Sequence, residues 1–302
     1  MFFRESRRSL AARPPPTYNA RMDSQPTERR GPDWNEMARS FDRWLPHIQP
    51  VGDRLIDLAD IRPGHEVLDV ACGTGEPSLS VARRFPGRIR VTGVDTAHAM
   101  LARAREKAAS EGLAGMSYDV MSAERMAFPH ERFDRVLCRF GLMLLDDPVQ
   151  GAREMWRVLR PHGRIALAVW GPLPKMTSVY PLWKLLPDYL PPADCPPEPK
   201  MTALGIPGVL ERVLTEAGWE AWRVEPMTVV FPFDTPLAFW NLATEAGLFK
   251  ELLPKFSCHA LVAFKARALA DIAAYRRGDA IELANDAWLA VAEKPSGEPR
   301  PN

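Results

Sequence analysis

The stretch "EVLDVACGTGEPSL", residues 66–79, constrains the fold more than any other part of the chain. An apolar run passes into a small-residue loop with glycines at 73 and 75, then into the start of a helix. Glycines at such a junction let a ligand lie against bare backbone. The next hundred or so residues repeat the rhythm. "EPSLSVARRF" reads as a helix with Pro77 in its first turn, "RIRVTGVD" as a second strand and "AHAMLARAREKAASEG" as a helix closed by Gly112. "MSYDV" and "FDRVLCRF" are the third and fourth strands, "PVQGAREMWRVLRPHG" a helix ending in a Pro-x-Gly turn, and "RIALAVWG" the fifth strand. Alternation of this kind predicts a doubly wound α/β sheet.

The flanks are less regular. "DWNEMARSFDRWL" spaces Trp34, Met37, Phe41 and Trp44 as on a helix, and "VGDRLIDLADI" predicts a second amphipathic helix, stopped by Pro63 and Gly64. After Gly171 the rhythm breaks, and residues 172–206 and 234–277 read as inserts rich in proline, aromatics and helical pattern. Between and after them, "EAWRVEPMTVVFPF" and "DAWLAVAEK" predict two more strands. Residues 1–32, rich in Arg and Pro and poor in core residues, read as a disordered tail ahead of one domain spanning 33–302. The tail is read as an extended start with Met22 as initiator, in preference to a targeting segment.

A net charge of +1 supplies no field toward nucleic acid or an anionic membrane, and no run reaches the roughly 18 apolar residues of a membrane span. Four scattered cysteines (Cys72, Cys138, Cys195, Cys258) lack zinc or redox spacing and read as free thiols of a cytoplasmic protein. No spacing suggests a metal site.

The second strand ends in Asp95, 20 residues beyond Gly75, where a carboxylate can accept both hydroxyls of an adenosine ribose. That much fits a dinucleotide as well as S-adenosylmethionine (SAM). The third glycine of a dinucleotide fingerprint would fall at Ser78, and Glu76 puts negative charge where a pyrophosphate would sit. Asp69, near the end of the first strand, suits a cationic α-amino group. These features favour SAM.

"VLDVACGTGEPSL", "VTGVDTAHAMLARAREKA", "SAERMAFPHERFDRVLCRFGLMLLDDP" and "REMWRVLRPHGRIALAVWG" together resemble the successive motifs of class I SAM-dependent methyltransferases, within them the ubiquinone/menaquinone-biosynthesis-like group acting on small molecules. The resemblance covers residues 64–171. It implies a Rossmann-like seven-stranded sheet of order 3-2-1-4-5-7-6, strand 7 antiparallel, with helical lid inserts. It also implies that Asp69, Ala71, Gly73 and Gly75 hold the methionine end of SAM and that Asp95 binds the ribose. Thr96, Met100, Ala123 and Glu124 would surround the adenine, and Arg139 and Phe140 would close the floor. Two positions depart from the pattern: Ala71 replaces the first glycine, and Ser122 stands where an acidic residue usually accepts the adenine amino group. A neutral hydroxyl gives that bond no charge assistance.

The leading function is methyl transfer to O or C of an apolar, ring-containing small molecule, without metal. Trp170, Tyr180, Trp183, Phe239, Trp240 and Phe249 are candidates for the acceptor wall. No general base stands out: His259 and His47 are candidates, His98 reads as the start or cap of a helix, and His162 reads as structural. Rival readings are a SAM-fold enzyme of other chemistry, a non-catalytic SAM-binding module and a nicotinamide dehydrogenase. The sequence leaves the oligomeric state open.

Overall fold

The computed structural model describes residues 33–296; the expectations for residues 1–32 lie outside them. β1 (Glu66–Val70), β2 (Arg90–Asp95), β3 (Met116–Val120), β4 (Phe133–Arg139) and β5 (Leu159–Trp170) pair in parallel. β8 (Ala280–Glu293) runs antiparallel to both β5 and β6 (Arg223–Phe233), giving the order β3-β2-β1-β4-β5-β8-β6. That is the expected order. One addition is β7 (Arg276–Arg277), which folds back on the start of β8 through Gly278.

β1 is buried at every position from Val67 to Val70, as a central parallel strand covered on both faces must be. The covering helices include α3 (Ser78–Arg84), α4 (His98–Ser110) and α5 (Pro148–Val158). The side chain of Asp147 caps α5, accepting from Gln150 N at 2.9 Å.

Three boundaries differ from expectation. The predicted helix over 34–45 is broken into α1 (Trp34–Met37) and a 3-10 turn (Phe41–Arg43), and α2 (Leu45–Leu58) begins well before the expected Val51. Pro46 lies in the first turn of α2, where no N–H bond is lost, while Pro50 sits inside the helix and gives up one intrahelical bond. β5 starts at Leu159 instead of Arg164: Leu159 pairs with Phe133, the "RPHG" segment bulges out of register, with His162 left-handed (φ 60) and its N–H on Lys294 O, and the pairing resumes at Arg164. β8 starts at Ala280 instead of Asp286, because Ile281, Leu283, Asn285 and Ala287 alternate inward and the buried Asn285 had masked the pattern.

The first insert carries α6 (Tyr180–Trp183), α7 (Leu186–Tyr189) and a 3-10 helix (Lys200–Gly205), and α8 (Val209–Glu216) follows it. The second carries α9 (Pro236–Glu245) and α10 (Cys258–Ala273). α10 packs on α6, α7 and α9, and the fully buried Phe264 at its centre meets Tyr189, Trp240 and Phe256 at ring distances of 5.5, 5.8 and 4.8 Å. The two inserts thus share one aromatic core.

Candidate cofactor and acceptor site

The loop after β1 holds three left-handed residues: Ala71 (φ 56), Gly73 (φ 54) and Gly75 (φ 103). The glycines serve different ends. A Cβ on Gly73 would meet only the Phe41 ring, at 3.8 Å, so this face is open. One on Gly75 would strike Leu79 at 2.9 Å and Ala104 at 3.1 Å, so Gly75 lets α3 and α4 close behind the loop. Asp95 fixes the open face: its Oδ2 accepts Gly73 N and its Oδ1 accepts Ala97 N, both at 2.9 Å. Burial raises the Asp95 carboxyl above its ordinary pKa, although these backbone donors oppose the shift.

Asp69 lies beneath the loop and is fully buried. Its Oδ2 accepts the N–H (3.0 Å) and hydroxyl (2.5 Å) of Ser78, tying the first turn of α3 to β1. Its Oδ1 has no partner, and burial pushes the carboxyl up to about 7. Arg139, at the end of β4, is buried as well and donates to the carbonyl oxygens of Glu76 (2.9 Å) and Ile48 (3.5 Å). Burial lowers its pKa, with Asp69 and Glu76 acting the other way. Glu76 is spent on its own helix, accepting from Ser80 and pairing with Arg83 at 2.5 Å.

A cavity of about 320 Å³ opens over this loop. One end is bounded by Ala71, Gly73, Asp95, Thr96, Met100, Ala123 and Arg139, and is covered by Trp34, Met37 and Phe41. The other end is lined from β5 by Trp170, from β6 by Phe231, from the first insert by Met176, Ser178, Val179 and Met201, and from the second by Ala243, Ala246, Leu248 and Phe249. Phe140 stands between the ends in a left-handed conformation (φ 61), stacked on Trp170 at 3.8 Å. Such a conformation costs of order 1–3 kcal/mol in a bulky residue and persists where its surroundings enforce it. Six methionines line the cavity, half of the 12 in the chain, so the wall is soft and adaptable.

Of the residues expected to bind cofactor, Ala71, Gly73, Asp95, Thr96, Met100, Ala123, Arg139 and Phe140 line the cavity. Asp69 and Gly75 support the loop from behind. Ser122 and Glu124 are not brought to the lining: Ser122 Oγ accepts Glu124 N (3.2 Å), and Glu124 Oε1 accepts Asp147 N (2.6 Å) ahead of α5. The weak base candidate His259 is exposed in the first turn of α10, away from the lining, because the aromatic core turns that end of the helix outward. His98 is exposed and His162 lies in β5. His47 packs on Phe231 and Phe233 at 5.1 and 4.7 Å, and burial lowers its pKa. Among the aromatic candidates Trp170 and Phe249 line the cavity, while Tyr180, Trp183, Phe239 and Trp240 do not. The sequence reading missed Ser178 and did not single out Trp34, Met37 and Phe41 as the residues of the N-terminal segment that cover the cavity, since their apolar spacing is one that any core helix shares.

The glycine loop with one open face, the Asp95 carboxylate at the end of β2 and the buried Asp69 carboxylate lie together at the carboxyl edge of a doubly wound sheet, where such sheets take their ligands. Residues 67–163 match the methyltransferase domain family. The chain is 31% identical over 222 residues to the nocamycin O-methyltransferase of Saccharothrix syringae, covering 68% of this chain and 78% of that one. It is 40% identical over 105 residues to the ubiquinone/menaquinone biosynthesis C-methyltransferase UbiE of Geobacter sulfurreducens, covering 34% of this chain and 41% of the relative. The match therefore spans about two fifths of that relative's length. The solved structure of the YcgJ protein from Bacillus subtilis superposes with a TM-score of 0.56 at 19% identity, covering 82% of this chain and 100% of that one, a likeness of fold. The chain belongs to the class I SAM-dependent methyltransferases, in the UbiE-like group.

Proposed function

We propose that the protein transfers a methyl group from SAM to an oxygen or carbon of an apolar, ring-containing small molecule. The observation that carries this reading is the two-ended cavity: polar, backbone-lined and carboxylate-bearing at the loop, apolar and aromatic beneath the inserts. In it Asp95 binds the ribose hydroxyls and Gly73 gives the cofactor close approach to backbone. Asp69 Oδ1, buried beneath the loop without a donor, lends negative charge to the α-amino end of the cofactor. Arg139, which donates to the neutral carbonyls of Glu76 and Ile48, has charge to offer the cofactor carboxylate. Thr96, Met100 and Ala123 flank the adenine. Ser122 and Glu124, occupied locally, serve the shape of that subsite.

When bound, SAM supplies an electrophilic methyl on a sulfonium. The chain's part is alignment and exclusion of water. Phe140 and Trp170 form a stacked wall at the junction of the two ends, and the inserts and the segment 34–44 cover it. Alignment of two reactants in this way contributes up to about 7–11 kcal/mol to a bimolecular barrier. The net charge of +1 gives no field for nucleic acid, and four free cysteines fit a reducing cytoplasm.

The test is calorimetric titration with SAM and NAD, followed by incubation with methyl-labelled SAM and a panel of phenols, enols and quinols. SAM binding without NAD binding, and label in an extracted small molecule, is the expected result. NAD binding, or SAM binding with no labelled product from any member of the panel, would overturn it.

A further inference from the structure

The acceptor end of the cavity contains no ionisable side chain: among the described lining residues these are Cys72, Glu76, Asp95 and Arg139, all at the loop end. Indoles apart, its polar side chain is Ser178, 5% exposed. The hydrogen bonds of Ser178 are fixed from β8. Asn285, fully buried, donates its Nδ2 to Leu283 O at 2.9 Å, which orients the amide so that Oδ1 faces Ser178. That oxygen accepts both the N–H (3.0 Å) and the hydroxyl (2.7 Å) of Ser178. The hydroxyl proton is thereby committed, and what Ser178 Oγ retains is lone pairs.

We infer that Ser178, held by Asn285, is a specificity residue that accepts a hydrogen bond from a hydroxyl on the acceptor molecule and discriminates against groups that can only accept. This deepens the proposed function and rests on its reading of the apolar end as the acceptor site. An aliphatic hydroxyl oxygen does not hold a proton, so Ser178 orients the acceptor without acting as its base. The recognised hydroxyl is therefore a neutral donor, an un-ionised phenol, enol or alcohol, and an ionised oxygen falls among the groups rejected. A buried acceptor-only oxygen rejects a ligand without a donor because the oxygen then goes unpaired.

Binding of three probes to the purified protein with S-adenosylhomocysteine, read by calorimetry, tests this. The probes are 2-naphthol (a donor), naphthalene and 2-acetylnaphthalene (an acceptor only). The wild-type protein is expected to bind 2-naphthol more tightly than 2-acetylnaphthalene. Ser178→Ala should weaken 2-naphthol about tenfold, the value of one net hydrogen bond, and leave naphthalene unchanged. The variant keeps the Ser178 backbone bond to Asn285, which favours folding. Equal wild-type affinity for 2-naphthol and 2-acetylnaphthalene, or a Ser178→Ala variant that weakens naphthalene as much as naphthol, would overturn the inference. So would failure to bind any probe. The S-adenosylhomocysteine titration alone, which Ser178 does not touch, separates these failures from failure of the methyltransferase reading.

Discussion

Asp42, in the segment before α2, accepts a 2.5 Å hydrogen bond from the hydroxyl of Thr74, the residue between the two loop glycines. Lys107 (2.9 Å) and Arg103 (3.4 Å) of α4 hold the same carboxylate. Burial alone would raise the Asp42 carboxyl, but the Thr74 and Lys107 bonds and the two cations outweigh it, and the pKa is lowered. The segment is fastened elsewhere too: Asn35 Oδ1 accepts Ala99 N at 3.0 Å, and Trp44 Nε1 donates to Ala246 O at 2.7 Å. Residues 34–44 thus form a strap from the cofactor loop to the second insert, with Trp34, Met37 and Phe41 facing the cavity.

Asp42→Asn should loosen the strap over the loop while keeping its size. A hydrogen bond to a charged group contributes about 1.5–3 kcal/mol, so SAM affinity is expected to fall roughly tenfold, with faster dissociation. Stopped-flow release of SAM measures it. Because the folded carboxyl is lowered, the latch is present above the ordinary carboxylate pKa and is lost as pH falls through the folded value. Release should therefore quicken in acid in the wild type and change less in the variant.

Asp69 gives the opposite sign. Its carboxyl is raised to about 7 without ligand, while the unfolded value is the ordinary one near 3.8. The folded state binds the extra proton between those values, so Asp69 makes the ligand-free protein lose stability as pH rises through that window. An α-amino cation needs the carboxylate, so SAM affinity should rise as pH passes upward through about 7. Calorimetry at pH 6 and 8 should show proton release on binding at the lower pH. Asp69→Asn should abolish both effects.

Asp95→Ala removes the proposed ribose partner and the clamp between Gly73 and Ala97. With two charge-assisted bonds at stake, SAM binding should weaken by about 2–4 kcal/mol. A folded variant with unchanged affinity would remove Asp95 from the site.

The glycine loop and Asp95 were legible because strand, loop and helix are contiguous and each residue type has one obvious use there. Gly75 shows the limit. Its neighbour Ala104 is 29 positions away, and only the packing reveals that Gly75 serves helix closure. Ser178 was illegible for the same reason: its hydroxyl is defined by Asn285, 107 residues on. Ser122 and Glu124 sit in a recognisable motif, yet their polar atoms go to neighbouring backbone, a choice that spacing does not encode.

Ala71 takes a left-handed conformation where the family pattern has glycine. That costs an L-residue roughly 1–2 kcal/mol, partly offset by the greater freedom of glycine when unfolded. Ala71→Gly is expected to stabilise the protein by up to about 1 kcal/mol, read as a higher denaturant midpoint. SAM affinity should stay within a factor of two or so, since the change falls inside about 0.4 kcal/mol.

The aromatic candidates of the inserts divide by position, and mutation should divide them in the same way. Phe249 lines the cavity and is backed edge-on by Trp183 at 6.1 Å. Trp170 lines it from β5, between Phe140 and Phe231. Phe239 and Trp240 face the other way, onto Phe233 and Phe264, as parts of the insert core. Truncating any of them removes buried area, and Phe or Trp to Ala in a packed site costs about 3–5 kcal/mol. A volume-sparing change separates packing from recognition. Phe249→Leu and Trp170→Phe should fold, bind SAM as the wild type does and raise KM for aromatic acceptors several-fold. Phe239→Leu should lower the melting temperature and leave KM unchanged. Melting curves and initial rates on the same four proteins check this. If Phe239→Leu shifts KM while Phe249→Leu does not, the acceptor lies on the other face of the inserts.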